Sequence, residues 1–381
     1  FEFLIKTGTK LDYPQKQANS EKHRFFIYSC KVITIDRQLN KRSIFKKFLS
    51  YSKSIVLRLT RKNIKIHSKK IQQKINYKNT LQFITEYITL SENINTNKKI
   101  EDYFSKNKYD AIIVGSDQTW RPRYSPNIYN FYLDFLKDTE TKRIAYASSF
   151  GVDNWEYNEK QTKKCKLLAQ AFDAISVREN SGVELCKKYL NVQAEHVLDP
   201  TLLLKPEEYL SILKIDSLES QKDKLFTYIL DKNEEKKSII DYVSKILGIK
   251  IFDHQSEHKL DQESKKKIEE YIYPPVENWI KSFHDATYII TDSFHGCALS
   301  ILFNKPFLAI GNTARGFSRF TSLLKIFDLE NRLISETDII NNQLINMKID
   351  WNRVNKILNE QRFISENFIK KNLLLINKQS H

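Results

Sequence analysis

The sequence predicts an α/β protein of two doubly wound domains in tandem, closed by a C-terminal helix. From about residue 109 onward, short apolar runs alternate with helical patterns, the signature of βαβ units and parallel sheets. This alternation comes in two series, separated by a proline-containing stretch at 200–206. The length, 381 residues with 41% hydrophobic and 12% aromatic content, suits two domains that each bury a core and excludes a disordered chain.

Taken in order, residues 1–108 carry 24 Lys and Arg against 8 Asp and Glu, so the whole net charge of +16 resides there. No carboxylate lies between Asp36 and Glu86, while a run of basic residues extends from Arg37 to Lys78. Ile44, Phe45, Phe48, Leu49, Ile55, Val56, Leu57 and Leu59 recur among them at helical spacing. Residues 37–83 therefore read as a basic helical insertion in an N-terminal domain of residues 1–205. The stretch 37–78 is either a solvated basic face or a surface for anionic lipid. No recognised nucleic-acid fold signature accompanies it, so no nucleic-acid partner is expected.

Strands are predicted at 110–114 (DAIIV), 143–147 (RIAYA), 174–177 (AISV) and 196–198 (HVL), with helices at 156–172 and 179–190. The second domain, 206–350, continues with strands at 225–230 (LFTYIL), 249–252, 286–290 (ATYII) and 306–310 (PFLAI). Its helices are expected at 233–247, 277–284 and 296–303. Residues 351–381 read as a helix that packs back across both domains.

Only 8 glycines occur, which excludes collagen-like and linker-rich architectures, and Gly115, Gly151, Gly296, Gly311 and Gly316 fall in segments singled out below. The four cysteines, Cys30, Cys165, Cys186 and Cys297, lack CxxC spacing, which argues against zinc and against a disulfide framework and for a reducing, cytoplasmic setting. No window approaches a membrane-spanning length of apolar residues. The sequence opens at Phe1 rather than Met, so any upstream targeting signal is outside its reach.

In open parallel sheets, ligands bind beyond the carboxyl ends of the strands. After DAIIV stand Gly115, Ser116, Asp117, Gln118 and Trp120. Ser116 and Asp117 suit either a helix cap or a hydroxyl ligand, and Trp120 either a sugar platform or a core residue. Ser148, Ser149 and Gly151 form a polar turn after RIAYA. Arg178 follows AISV, where its forked guanidinium serves a carboxylate, a phosphate or a local ion pair with Glu179. After ATYII come Thr291, Asp292, Ser293, Phe294, His295, Gly296 and Cys297. His295 stands where a strand gives way to a helix, with the N–H groups of Gly296 and Cys297 placed to meet an anion. The loop 311–320 offers Arg315 and Arg319, four residues apart, as a clamp or as part of a surface turn.

These segments, VGSDQTWRP with NFYLDFL and KRIAYASSFG, AISVRENSG with HVLDPTLLL, and ITDSFHGCALSILFNKPFLAIG with RGFSRFTSLL, resemble the polysaccharide pyruvyl transferase family over roughly residues 98–332. The resemblance implies a GT-B-like fold: two Rossmann-like domains facing a cleft, the first on the acceptor side and the second on the donor side. It implies a cytoplasmic bacterial enzyme of cell-envelope, capsule or exopolysaccharide synthesis; the basic stretch 37–78, if it is a surface for anionic lipid, would make it peripheral at the inner face of the membrane. Its donor is phosphoenolpyruvate, a substrate, and neither a cofactor nor a metal is expected. Its acceptor is a glycan or lipid-linked sugar, on which a cyclic ketal is formed. His295, Asp117 and Asp292 become catalytic candidates. Arg178, Ser293, Gly296, Arg315 and Arg319 become donor-side candidates, and Ser116, Gln118, Trp120, Ser148 and Ser149 acceptor-side ones.

Two departures stand out. Ser293 occupies a position where the family carries an arginine, leaving Arg178, Arg315 or Arg319 to replace it. Residues 9–20 keep only fragments of the family's first turn, with Pro14 where a glycine is expected. A nucleotide-sugar glycosyltransferase of the same fold and a catalytically lapsed glycan-binding protein are the alternatives.

Overall fold

The computed structural model describes residues 3–6, 31–37, 75–137, 140–212, 223–254, 271–311, 317–338 and 340–374. Most of the basic stretch (38–74), the turn at 9–20, Cys30, Arg315 and Gly316 lie outside the described residues.

The first sheet contains β1 (Phe3–Lys6), β2 (Lys31–Ile33), β3 (Ala111–Val114), β4 (Lys142–Ser148), β5 (Ala174–Val177) and β6 (Glu195–His196), in the order β2-β1-β3-β4-β5-β6. β3 to β6 are parallel, as the alternation predicts. β1, ahead of the alternating series, runs antiparallel to both β2 and β3. A four-residue run carries no information about its direction, so the reversal is invisible in the sequence. Along β3 the side chains alternate as a strand requires: Ile112 and Val114 join one apolar cluster, Ala111 and Ile113 another on the opposite face. The first face is covered by α2 (Asn97–Lys106), α3 (Glu159–Ala169) and α4 (Asn180–Leu185), the last continued by a π turn at Cys186–Leu190. α1 (Lys78–Tyr87) precedes them in the chain.

α5 (Pro206–Ile212) leads to the second sheet, β7 (Lys224–Tyr228), β8 (Lys250–Phe252), β9 (Tyr288–Thr291), β10 (Phe307–Ile310) and β11 (Leu333–Ile334). All its pairs are parallel and the order is β11-β10-β9-β7-β8, so the winding reverses between β7 and β9. Phe307 and Ala309 point into one core and Leu308 and Ile310 into the other. The helices are α6 (Glu234–Leu247), α7 (Val276–Asp285), α8 (Phe294–Leu302), α9 (Phe317–Ile326) and the short α10 (Asn342–Asn346). α6 shows why they form where they do: Asn233 caps it by accepting from the Lys236 N–H, Glu234 and Glu235 fill its first turn, and Gly248 ends it in the left-handed conformation.

α11 (Trp351–Leu374), 24 residues and about 36 Å long, crosses both domains. Val354 and Leu358 enter a core of the second domain, Phe368, Ile369 and Leu373 that of the first. Between them Arg362 donates to the Leu202 carbonyl at 2.9 Å, and Ser365 Oγ accepts from the Leu198 N–H at 2.9 Å. This is the two-domain arrangement, with a helix crossing back, that the resemblance implies. α1, expected within the first domain, packs instead on the second. Phe83 lies against that domain's core, and Asn79 donates to the Tyr273 carbonyl at 2.8 Å. Among the described residues no helix is long and apolar enough to cross a membrane.

Candidate active site

The carboxyl ends of β3, β4, β5 and β6 meet the start of α8 between the two domains. β3 and β4 approach so closely there that a Cβ on Gly115 would lie 1.9 Å from the Tyr146 carbonyl oxygen. β4 then bulges, with Ala147 at φ 50, and delivers Ser148 and Ser149 into the junction.

Arg178 is the hub. Its side chain is buried, with Nη1 2.7 Å from Asp199 Oδ2 and Nη2 3.0 Å from Asp117 Oδ1. From the second domain the Phe294 ring lies 4.2 Å below the guanidinium carbon. Burial disfavours the charge, but Asp199, Asp117 and Glu179 outweigh it and raise the pKa of Arg178 above its ordinary value. With two carboxylates and a ring against it, Arg178 stands in an ion-pair network, one of the roles its strand-exit position suits. Asp117 is more than half exposed, at 56%. Burial of its surroundings acts to raise its pKa, but Arg178, His295 and Arg319 hold the carboxyl well below the usual range.

His295 is the second residue of α8, its imidazole 38% exposed and ringed by protein on its other sides. Nε2 lies 3.9 Å from Asp199 Oδ2, a charge contact beyond hydrogen-bond length. Burial lowers its pKa against the pull of Asp199, and Arg178 and Arg319 add to the lowering. The imidazole is thus neutral at neutral pH and ready to accept a proton. Asp199 was missed by the sequence reading, although it stands at the exit of β6 as the strand-exit rule requires. It is buried and accepts from the Thr201 N–H at 2.9 Å and the Thr201 hydroxyl at 2.6 Å as well as from Arg178. Arg319, buried in the first turn of α9, has its pKa lowered to about 10 by burial and by repulsion from Arg178. It remains a cation at neutral pH.

Several candidates occupy other places. Trp120 is fully buried, stacked on Tyr132 at 4.8 Å with Nε1 donating to the Phe131 carbonyl, so it presents no face to a sugar. Ser148 and Ser149 are buried too, donating to the Val114 carbonyl and to Glu179 Oε1; they tie strand ends together rather than meet an acceptor. Ser116 is buried beside Asp117, and Gln118, half-buried, accepts from Arg121 at 3.0 Å. Ser293 caps α8 by accepting from the Gly296 N–H at 3.4 Å, and its carbonyl takes the Cys297 N–H at 3.0 Å. Both N–H groups expected to meet an anion are therefore spent within the helix start.

Asp292 is buried and accepts from the Leu230 N–H at 2.6 Å, the Asp231 N–H at 3.1 Å and Lys236 Nζ at 2.8 Å. It fills the switch point between β7 and β9 and is not placed for acid or base work. Among the described residues no group of three or more His, Cys, Asp or Glu is arranged to hold a metal ion. A polar cavity of about 590 Å³ lies on the first domain between Arg37, Asn95, Asn127, Tyr129 and Lys164, and none of the junction residues lines it.

Among solved structures the chain is similar to a UDP-N-acetylglucosamine 2-epimerase from Rickettsia bellii, at 14% identity, covering 79% of this chain and 87% of that one with a TM-score of 0.40. It is also similar to the glycotransferase of kitacinnamycin, at 10% identity, covering 72% and 79% with a TM-score of 0.39. No curated protein matches the sequence significantly. The family model described as polysaccharide pyruvyl transferase matches residues 19–313, spanning the strand exits, Arg178, Asp199 and His295, and the chain belongs to that family of transferases.

Proposed function

We propose that the protein moves the pyruvyl unit of phosphoenolpyruvate onto two hydroxyls of a sugar, in a cell-surface polysaccharide or its lipid-linked precursor, and closes a cyclic ketal. The observation that carries this reading is the convergence of a neutral imidazole, His295, with Asp117, Asp199 and Arg319 at one point between the domains. Phosphoenolpyruvate brings a phosphate and a carboxylate, and Arg319 supplies a cation that remains charged at neutral pH.

Addition of a proton to the methylene carbon makes the neighbouring carbon electrophilic. One sugar hydroxyl adds to that carbon, and His295 takes its proton, balancing the proton gained by the methylene. A second hydroxyl then displaces the phosphate and closes the ring, its proton leaving with the phosphate. Two carbon–oxygen bonds to the sugar, one carbon–hydrogen bond and one oxygen–hydrogen bond on the phosphate form, while the carbon–carbon π bond, the carbon–oxygen bond to phosphate and the two hydroxyl O–H bonds break. Asp117, ionised and partly exposed, accepts from a sugar hydroxyl. Asp199 and Arg178 set the field around the imidazole.

A nucleotide-sugar donor fits less well. Its diphosphate would seek N–H groups at the switch point, and there Asp292 has already taken those of Leu230 and Asp231 together with Lys236. Melting curves test the choice, since a ligand that binds only the native state raises its stability. Phosphoenolpyruvate is expected to shift the curve upward, while uridine diphosphate and its sugars leave it in place. A shift with a nucleotide sugar and none with phosphoenolpyruvate overturns the proposal.

A further inference from the structure

At the exit of β5, next to Arg178, a carboxylate that the chemistry above does not use makes more contacts than a simple cap requires. Glu179 is fully buried. Its Oε1 accepts three times: from the Ser149 hydroxyl at 3.0 Å, the Phe150 N–H at 2.7 Å and the Gly151 N–H at 3.2 Å. Its Oε2 has no hydrogen-bond partner among the described residues. Two successive N–H groups and a hydroxyl converging on one oxygen form the kind of nest that elsewhere holds an anion. Here the chain's own side chain fills it. The turn so held is itself fastened to the residues around Asp117. The Ser149 N–H donates to the Asp117 carbonyl at 3.1 Å, and the Trp120 N–H donates to the Ser149 carbonyl at 3.2 Å.

We propose that Glu179 is a positioning residue for Asp117, acting through the Ser149–Gly151 turn to fix the acceptor side of the cleft. The connection is short and continuous: Glu179 Oε1, the turn at the end of β4, then the backbone on either side of Asp117. Burial raises the pKa of Glu179, opposed by Arg178, Ser149 and the two N–H groups. A group so placed holds geometry; it has no route to exchange a proton with substrate. The role assigned to Asp117 rests on the pyruvyl-transfer reading, whereas the mechanical link between Glu179 and Asp117 does not.

The test uses the full chain as Glu179→Gln, Glu179→Ala and Glu179→Asp. The glutamine keeps an oxygen for the three donors, the alanine removes it and the aspartate draws it back by one methylene. Amide hydrogen exchange over 115–121 and 149–151 is expected to quicken by about tenfold or more in the alanine and aspartate variants and to stay near wild type in the glutamine variant. Phosphoenolpyruvate affinity, read from melting curves, is expected to hold within about twofold in the aspartate variant, which keeps the charge that bears on Arg319 from across the junction. Turnover on a panel of methyl glycosides is expected to fall by about tenfold or more in the alanine variant, mainly in kcat, and to be rescued by glutamine. Wild-type exchange over 115–121 in both the alanine and the aspartate variant overturns the proposal. So does a glutamine variant as impaired as alanine, since that would make charge the cause. If Glu179→Ala does not fold, Glu179→Asp decides the exchange result. If the wild type fails to bind phosphoenolpyruvate, the donor reading falls while exchange still decides the link.

Discussion

His295 is the residue on which most of the chemistry depends. His295→Ala is expected to lower turnover by about 10²-fold to 10⁴-fold, with a melting curve close to wild type because the ring is partly exposed and makes no hydrogen bond among the described residues. Wild-type turnover would remove it from the mechanism. Its lowered pKa also sets two pH effects with a definite sign. As a base it must be neutral, so kcat/KM rises with pH along a limb lying below the ordinary value of 6.5. Because the unfolded chain binds this proton more readily, its contribution to stability is present above pH 6.5 and is lost as pH falls through the window down to the folded value. Asp117 and Asp199 act in the same direction lower down, from 3.8 toward their depressed folded values. A pH profile of phosphate release and a melting series over the same range check both effects. Trp120→Ala, by contrast, is expected to cost about 3–5 kcal/mol of stability, seen in denaturant titration. An unchanged midpoint with weaker acceptor binding would return Trp120 to the sugar.

At the scale of elements, the start of α8 shows how a departure in sequence becomes local structure. Ser293, standing where the family carries an arginine, caps the helix and keeps the Gly296 N–H satisfied. Ser293→Ala is expected to cost about 1 kcal/mol, and thermal denaturation measures it; no loss would mean that the bond at 3.4 Å is idle. Most elements around this point were legible. The AISV strand is observed over the residues predicted for it, and the helix after Asn233 begins where its cap requires. Their signals are local, a run of apolar residues or a capping side chain. The direction of β1 and the two-residue β11 were not legible, because partners distant in the chain define both. The same limit applied within the site. Sequence placed Arg178 at a strand exit correctly, but the carboxylates that claim it come from 61 and 21 residues away. Asp199 obeyed the strand-exit rule and was passed over because HVLDPT reads equally as a proline turn. Trp120 was open to either reading until Tyr132 was seen to stack on it.

For the whole molecule, α11 makes one folding unit of two domains. Phe368 belongs to a core of the first domain and Leu358 to one of the second, on a single helix. Phe368→Ala is therefore expected to cost about 3–5 kcal/mol and, in calorimetry, to move a single transition that includes both domains. Two transitions of which only one moves would show the domains to be uncoupled. The net +16 falls in the first 108 residues; a surface for anionic lipid there predicts vesicle binding that requires anionic lipid and weakens with salt. Binding to neutral vesicles with equal strength would count against it. The contact between Arg178 and Phe294 has a mechanical consequence. On its own domain Arg178 is pinned by two directional ion pairs, but toward the other domain it presents a flat cation to a flat ring. A hydrogen bond fails when its partners slide by an ångström, whereas a cation over a ring tolerates lateral travel. At this one contact the junction works as a plain bearing, on which sideways travel costs the cation less than it would cost a hydrogen bond, while the Asn180 N–H, donating to Ser322 Oγ at 2.9 Å, keeps the two domains in register.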